Sequence, residues 1–481
     1  MSIWKKKCLV ELQTSASETG ENKLSRTLGP IQLMMIGIGA IIGAGLFSIT
    51  GIAAAQNAGP AILISFAIAA IGCLFCGLCY SELATLVPVS GSSYTYAYAT
   101  MGELIAWAIG WTLVLEYAIG ASAVAISWSA YVVSLLQDFN IVLPPHFTAS
   151  PWQPIKMANG DLIYGWINLP AILILGVITL ILIRGLNQSA RFNAVIVTIK
   201  VSVVILFIGV GIWYIHPSNY TPFIPANTGE FGSFGWSGIM RAAAIVFFAY
   251  IGFDTVSTMA QECKKPTRDL SIGILGSLFV CTVLYILFAF VMTGLVNYKD
   301  LNVAAPVALA IDQTPHYWLN YLIKLAILAG FTSVILVLLL GQSRIFYAMS
   351  IDGLLPKCFS ALHPSYRTPW VSNLVLMAFV CAISGFAPLD VVAEMTSIGT
   401  LLAFGIVCAV VLILRKTHPE FPRPFKVPFV PLIPLAGIAS CLILMASLSL
   451  DSWMRLVIWL AIGAVIYFTY SRYHSVERRK G

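Results

Sequence analysis

A helix of about twenty apolar residues is long enough to cross the roughly 30 Å hydrocarbon layer of a bilayer, and twelve runs of that kind fill most of this sequence. They begin near residues 31, 61, 103, 164, 192, 238, 270, 318, 370, 391, 429 and 452. They end near 55, 87, 137, 183, 214, 258, 295, 348, 386, 414, 449 and 471. The third and eighth are long enough to predict tilt or extension beyond the lipid. Only 10% of the residues are charged, against about 25% in soluble domains. A water-soluble enzyme is thereby excluded, and an all-α integral membrane protein with twelve transmembrane helices remains. The 37 Gly and 24 Pro are too many for a simple coiled-coil bundle. Membrane helices tolerate both where backbone groups freed by a break find other partners.

Lys and Arg set the orientation. With the N-terminus inside, 21 of them fall on the inner side and five on the outer, and Lys200 lies within a run. An even number of spans then puts both termini in the cytoplasm, as tails 1–27 and 472–481. The first tail has a basic start but no apolar stretch or cleavage site, so it does not read as a signal peptide. The net charge of +7 comes from short basic clusters scattered between apolar runs, which is no footprint for nucleic acid. None of the ten Cys is placed in an outer loop, so no external disulfide framework is implied. Cys73, Cys76 and Cys79 sit in an apolar run without a nearby His and read as small packing residues rather than a zinc site.

Two runs carry interruptions. The first contains Gly37-Ile38-Gly39-Ala40-Ile41-Ile42-Gly43-Ala44-Gly45-Leu46-Phe47. Each of its four glycines costs about 1 kcal/mol in a helix relative to Ala, but glycine also lets a ligand approach the backbone closely. The sixth contains Phe247-Phe248-Ala249-Tyr250-Ile251-Gly252-Phe253-Asp254. The interruptions lie five spans apart, so runs 1–5 (28–214) and 6–10 (238–414) predict two repeats that begin with matching broken helices and are inverted in the membrane. Residues 415–471 add two further helices. Paired discontinuous helices of this kind point to a secondary transporter's binding site. A helix broken in mid-membrane leaves unpaired N–H groups at one half's start and unpaired C=O groups at the other half's end. The first attract a carboxylate and the second an ammonium; a zwitterionic amino acid supplies both. The alternative is that the glycines only permit close helix packing.

At these residues the sequence resembles the amino acid–polyamine–organocation (APC) superfamily, and more narrowly the bacterial relatives of cationic amino acid transporters. The resemblance covers most of residues 25–415. It rests on GIGAIIGAGLF, FFAYIGFD, GWTLVLEY (110–117), QECKKPTRDL (261–270) and GQSRIFYAMSIDGLLP (341–356). It implies an inverted five-plus-five repeat plus two C-terminal helices. It implies that a substrate α-carboxylate meets amides near Ile41, Gly43, Ala44 and Gly45, and that the α-amine meets carbonyls of Phe248, Ala249 and Ile251. Many relatives have Thr or Ser where this chain has Ala44, so the backbone must carry more of the carboxylate recognition. Phe248 is implied as an occluding gate. Leu338 stands at a side-chain pocket position where eukaryotic cationic transporters carry a small residue, which favours neutral side chains and leaves cationic ones as the alternative. The stretch 88–96 resembles a re-entrant segment that would close the inner vestibule; an amphipathic interfacial loop explains it too.

Ionisable residues within the membrane are expensive and therefore functional candidates. Lys200 lies eight residues into the fifth run, about 12 Å deep at 1.5 Å per residue. In sodium-coupled relatives of the implied fold a metal ion bridges helices one and eight. In this branch a fifth-helix Lys resembles a stand-in for that ion, close to Gly37, Thr332 and Ser333, with H+ as the implied coupling ion. A static ammonium bracing the helices is the alternative. Glu116 reads as a proton relay, a lining for cationic side chains, or a structural hydrogen-bonding carboxyl. Asp254 reads as a cap for the inner half-helix or a partner of the fifth span. Glu394, near an outer end, reads as solvated.

These features predict a proton-coupled amino acid transporter working by alternating access in the cytoplasmic (inner) membrane. A monomer without an obligate protein partner or cofactor is expected. The alternatives are a sodium symporter, an amino acid exchanger, or a sensor. Catalysis is disfavoured: no HExxH, CxxC…H or Ser/His/Asp grouping lies within the spans, and all six His fall in loops or tails.

Overall fold

The computed structural model describes residues 4–7, 28–87, 92–152, 154–156, 162–185, 190–303 and 305–479. Most of the tail 1–27, residues 88–91 at the start of the 88–96 stretch, and 480–481 lie outside the described residues. Among the described residues secondary structure is helical apart from one antiparallel hairpin, β1 (Pro154–Lys156) and β2 (Leu162–Tyr164), and an isolated bridge between Leu28 and Cys263. Lipid forces this choice, because a helix satisfies its own backbone polar groups where no water can.

The first apolar run forms α1 (Pro30–Ile41) and α2 (45–58), and α3 (Ile62–Leu86) follows. Next come α4 (Ser92–Thr100), α5 (Glu103–Asp138), α6 (Leu169–Arg184) and α7 (Ala190–Gly211). The second half holds α8 (Gly235–Val246), α9 (Thr255–Thr258), α10 (Pro266–Leu295), α11 (Pro306–Ile311), α12 (Tyr317–Ile351), α13 (Trp370–Phe386) and α14 (Leu389–Thr417). The chain closes with α15 (Leu432–Ser447), α16 (Leu450–His474) and α17 (Val476–Arg479). Among the described residues, eight helical stretches are long and apolar enough to cross a membrane, and four shorter apolar helices accompany them. The fourth run begins at Leu169 rather than 164, because 162–164 is spent on β2. Within the 88–96 stretch the described part is the buried helix α4, not a loop.

The long helices pair in a regular way. α3 lies along α10, α5 along α12, and α6 along α13, while α1 packs on α10 and α7. Polarity is arranged as a bilayer demands. Leu173, Val177, Phe279, Ile458 and Val465 face outward, whereas Glu116, Lys200 and Asp254 are buried.

Both described chain ends meet one end of the bundle, on the turn between α4 and α5. The amide of Glu103 donates to Lys5 O at 3.0 Å, and Lys7 Nζ pairs with Asp352 at 2.7 Å. The Glu103 carboxylate, wholly buried, accepts the hydroxyls of Tyr98, Tyr467 and Ser475 and pairs with Arg478 Nε at 2.9 Å. On the same principle Glu82 at the end of α3 holds the 415–431 linker. It accepts Arg415 at 2.9 and 2.6 Å and the amide of Val427 at 2.7 Å, with Arg423 Nε 3.3 Å away.

Candidate functional site

α1 ends at Ile41. Ile42 leaves helical space (φ −71°, ψ 103°), and its amide donates the last bond to Ile38 O. The next half begins when the amides of Leu46 and Phe47 donate to Gly43 O, both at 3.2 Å. Gly43, Ala44 and Gly45 therefore present the N–H groups that no helix start can satisfy internally, at the positive end of α2. The opposite end is closed. Lys200 Nζ donates to Gly39 O at 2.8 Å and lies 3.4 Å from Ile42 O, and the Tyr285 hydroxyl stands 2.8 Å from Ile41 O. An ammonium at a helix C-terminus meets the dipole with the favourable sign.

The second break follows the 3₁₀ turn Phe247–Tyr250. Ile251 is non-helical (φ −58°, ψ 138°), and Gly252 has φ +114°. That left-handed conformation suits glycine, and a Cβ there would stand 2.9 Å from the backbone of Ala40. The two breaks touch elsewhere too. A methyl on Gly45 would stand 2.5 Å from Ala249 Cβ and 2.8 Å from its amide nitrogen. Tyr285, on α10, reaches both breaks, since its hydroxyl also lies 2.9 Å from Ala249 O.

Between the breaks and α5 is a small cavity. Ile41, Gly43, Ala44 and Gly45 line one side and Phe248 and Ile251 another. Gly120, Val124, Val334 and Leu338 form an apolar wall. The remaining polar side chain of the lining is Glu116, fully buried, with the Asp254 carboxyl beside it. It lies in a π-helical turn of α5, Leu115–Ile119, a local form that recurs at functional sites. Such a lining can face a small solute with one anionic and one apolar end.

The sequence profile of amino acid permeases matches residues 28–469. The chain belongs to the amino acid permease family. It is similar to the methylthioribose transporter of Bacillus subtilis (strain 168), 43% identical with 99% of each chain covered. It is equally similar to the branched-chain amino acid permease BcaP of the same organism, 43% identical with 98% of each covered. Vacuolar cationic amino acid transporter 4 of Arabidopsis thaliana is 36% identical over 83% of this chain and 65% of its own. This is a family of membrane transport proteins within the APC superfamily, not of enzymes.

In this permease the sequence-predicted positions Ile41, Gly43, Ala44, Gly45, Phe248, Ile251 and Leu338 converge on the one cavity, and Glu116 joins them. Ala249 stands behind the lining, against Gly45, with its carbonyl engaged by Tyr285. The amide of Ile41 lies inside α1, so that residue faces the cavity without a free N–H. Lys200 is outside the cavity and differs from expectation in its neighbours. It reaches Gly39 and Ile42, and its stem lies 3.0 Å from where a Cβ on Gly330 would stand. Gly37 instead faces Ser277 and Val256. Thr332 and Ser333 spend their hydroxyls on Leu328 O and Gly330 O.

Asp254 stands at the N-cap position of α9 and accepts the hydroxyl of Tyr117 on α5, the helix packed beside it. Glu394 is not solvated. It is 14% exposed, pairs with Arg241 at 3.5 Å and accepts the hydroxyls of Ser449 and Ser452, because the start of α16 covers it. Cys73, Cys76 and Cys79 are buried along α3, and Cys76 Sγ meets Cys441 and Cys408 at 3.7 and 3.8 Å. Sequence reasoning missed Tyr285, Gly120 and Val124. A tyrosine in the middle of an apolar run was the available signal for the first; the others carry none.

Proposed function

We propose that the chain is a twelve-span secondary transporter of a bacterial inner membrane, with both termini cytoplasmic. It takes up L-amino acids with neutral side chains together with H+ by alternating access, as a monomer. The observation that carries this reading is the juxtaposition of unsatisfied amides at Gly43–Gly45 with the Phe248–Ile251 turn across one small cavity. An α-carboxylate suits the first, and an ammonium suits carbonyls of the second. The wall of Val124, Val334 and Leu338 accepts an aliphatic side chain, which accords with a relative named as a branched-chain amino acid permease.

Twelve spans follow if α1–α2 and α8–α9 each cross once as broken helices. The pairings of α3 with α10, α5 with α12 and α6 with α13 join equally numbered members of 28–214 and 238–414, which supports an inverted repeat. H+ coupling rests on Lys200. Its charge closes the end of α1, and losing a proton would release that end, so protonation and the geometry of the first break are linked. Substrate binding then shifts the conformational equilibrium by its differential contacts.

The test is uptake of labelled leucine into proteoliposomes under an imposed pH gradient, with and without Na+. Lys200→Ala is expected to abolish accumulation while leaving exchange of internal for external substrate. Accumulation in that variant that still follows the pH gradient removes Lys200 from the coupling role, and strict Na+ dependence replaces H+. The Glu116 carboxyl in the cavity lining favours one second reading: it can accept sugar hydroxyls, and a relative is named as a methylthioribose transporter. Competition of leucine uptake by methylthioribose decides between them.

A further inference from the structure

Glu116, Gly120 and Val124 stand four residues apart on α5 and all line the cavity. The middle one has no side chain, and packing does not require its absence. A methyl on Gly120 would stand 3.5 Å from Thr396 Cγ2, 3.8 Å from Leu338 Cδ1 and 4.0 Å from Phe248 Cε2, all ordinary van der Waals distances. Gly45 is different, since the backbone of Ala249 fills the place of its side chain. Glycine weakens a helix interior relative to alanine. A glycine that alanine could replace without a clash therefore keeps a volume open.

The surroundings of that volume are apolar. Thr396 spends its hydroxyl on Val392 O at 2.9 Å and turns its methyl toward Gly120. Leu338 and Phe248 supply the other two sides. The breaks, where the charged ends of a zwitterion belong, lie across the cavity.

We propose that Gly120 sets the size limit of the transported side chain. The space it leaves, bounded by Thr396, Leu338 and Phe248, receives the branched end of an aliphatic L-amino acid of the valine, leucine and isoleucine class. This rests on the reading of the chain as an amino acid transporter. A methyl added at Gly120 competes directly with the terminal methyl groups of such a substrate. One methylene of misfit in an apolar pocket is worth roughly 10–200-fold in discrimination.

The experiment compares wild type, Gly120→Ala and Thr396→Ser, which removes a methyl and keeps the hydroxyl. Each is purified in detergent and reconstituted, and inhibition of labelled uptake is measured with glycine, alanine, valine, leucine, isoleucine and phenylalanine. In Gly120→Ala the affinity for leucine and isoleucine falls at least about tenfold, while that for alanine and glycine holds or rises. In Thr396→Ser the larger side chains gain. A Gly120→Ala protein with wild-type melting temperature and an unchanged leucine-to-alanine ratio overturns the proposal. If that variant does not fold, an unchanged profile in Thr396→Ser overturns it equally. Failure of the wild type to take up any amino acid is a separate result and removes the transport reading instead.

Discussion

Arg478→Gln tests how the end of the chain is held. The Glu103 carboxylate it pairs with is wholly buried, and the guanidinium itself is 4% exposed. The substitution deletes the cation paired with Glu103 and also the bond from Nη2 to the Tyr467 hydroxyl at 2.7 Å. Removing one member of a buried pair costs about 3–5 kcal/mol. Here the carboxylate keeps hydroxyl donors from Tyr98, Tyr467 and Ser475, so the lower end, about 3 kcal/mol, is expected. A loss of that size lowers the melting temperature in detergent by several degrees; the usual scale is about 2–4 °C per kcal/mol for domains of 150–250 residues. It also raises hydrogen exchange across 467–479 and across α4, whose Tyr98 shares the carboxylate. The double variant Glu103→Gln/Arg478→Gln removes both charges and recovers most of the loss, because no buried ion is left alone. A single variant that melts within a degree of wild type, with unchanged exchange in both segments, would refute the view that this pair docks the chain end.

Two more outcomes are expected. Gly45→Ala drives a methyl into Ala249, where it would stand 2.5 Å from Cβ and 2.8 Å from the amide nitrogen, so the breaks part and stability falls by about 1–3 kcal/mol. Leucine binding measured by scintillation proximity is lost, whereas wild-type affinity would show that the close approach is unneeded. Glu82→Gln leaves Arg415 and Arg423 without their shared carboxylate, and limited trypsin digestion should cut the 415–431 linker much faster. An unchanged digestion rate would mean that the linker is held by something else.

The membrane helices were legible because lipid allows few alternatives: Glu103–Asp138, Pro266–Leu295 and Trp370–Phe386 fall within a few residues of the predicted runs. Both breaks were legible from glycine spacing, since an interruption in an apolar run is a local signal. Lys200 stood out by depth alone. Its partners did not, because choosing Gly39 and Ile42 over Gly37 depends on helix rotation. The docking of Arg478 on Glu103 joins residues 375 positions apart and leaves no periodic trace. Glu394 was misread for the same reason: position near a span's end says nothing of the helix that covers it. Gly120 is one glycine among 37, and only its surroundings distinguish it.

The hydroxyl of Tyr285 carries a single hydrogen, yet two oxygens, from Ile41 and Ala249, lie within reach of it. One of the two must always go short of it, or both must make do with a share. The shortage sits where the chain's two discontinuities meet, so the two segments compete for one donor. A solute bearing three hydrogens on one positive nitrogen is equipped to end it, and an uncharged hydrocarbon of the same outline is not.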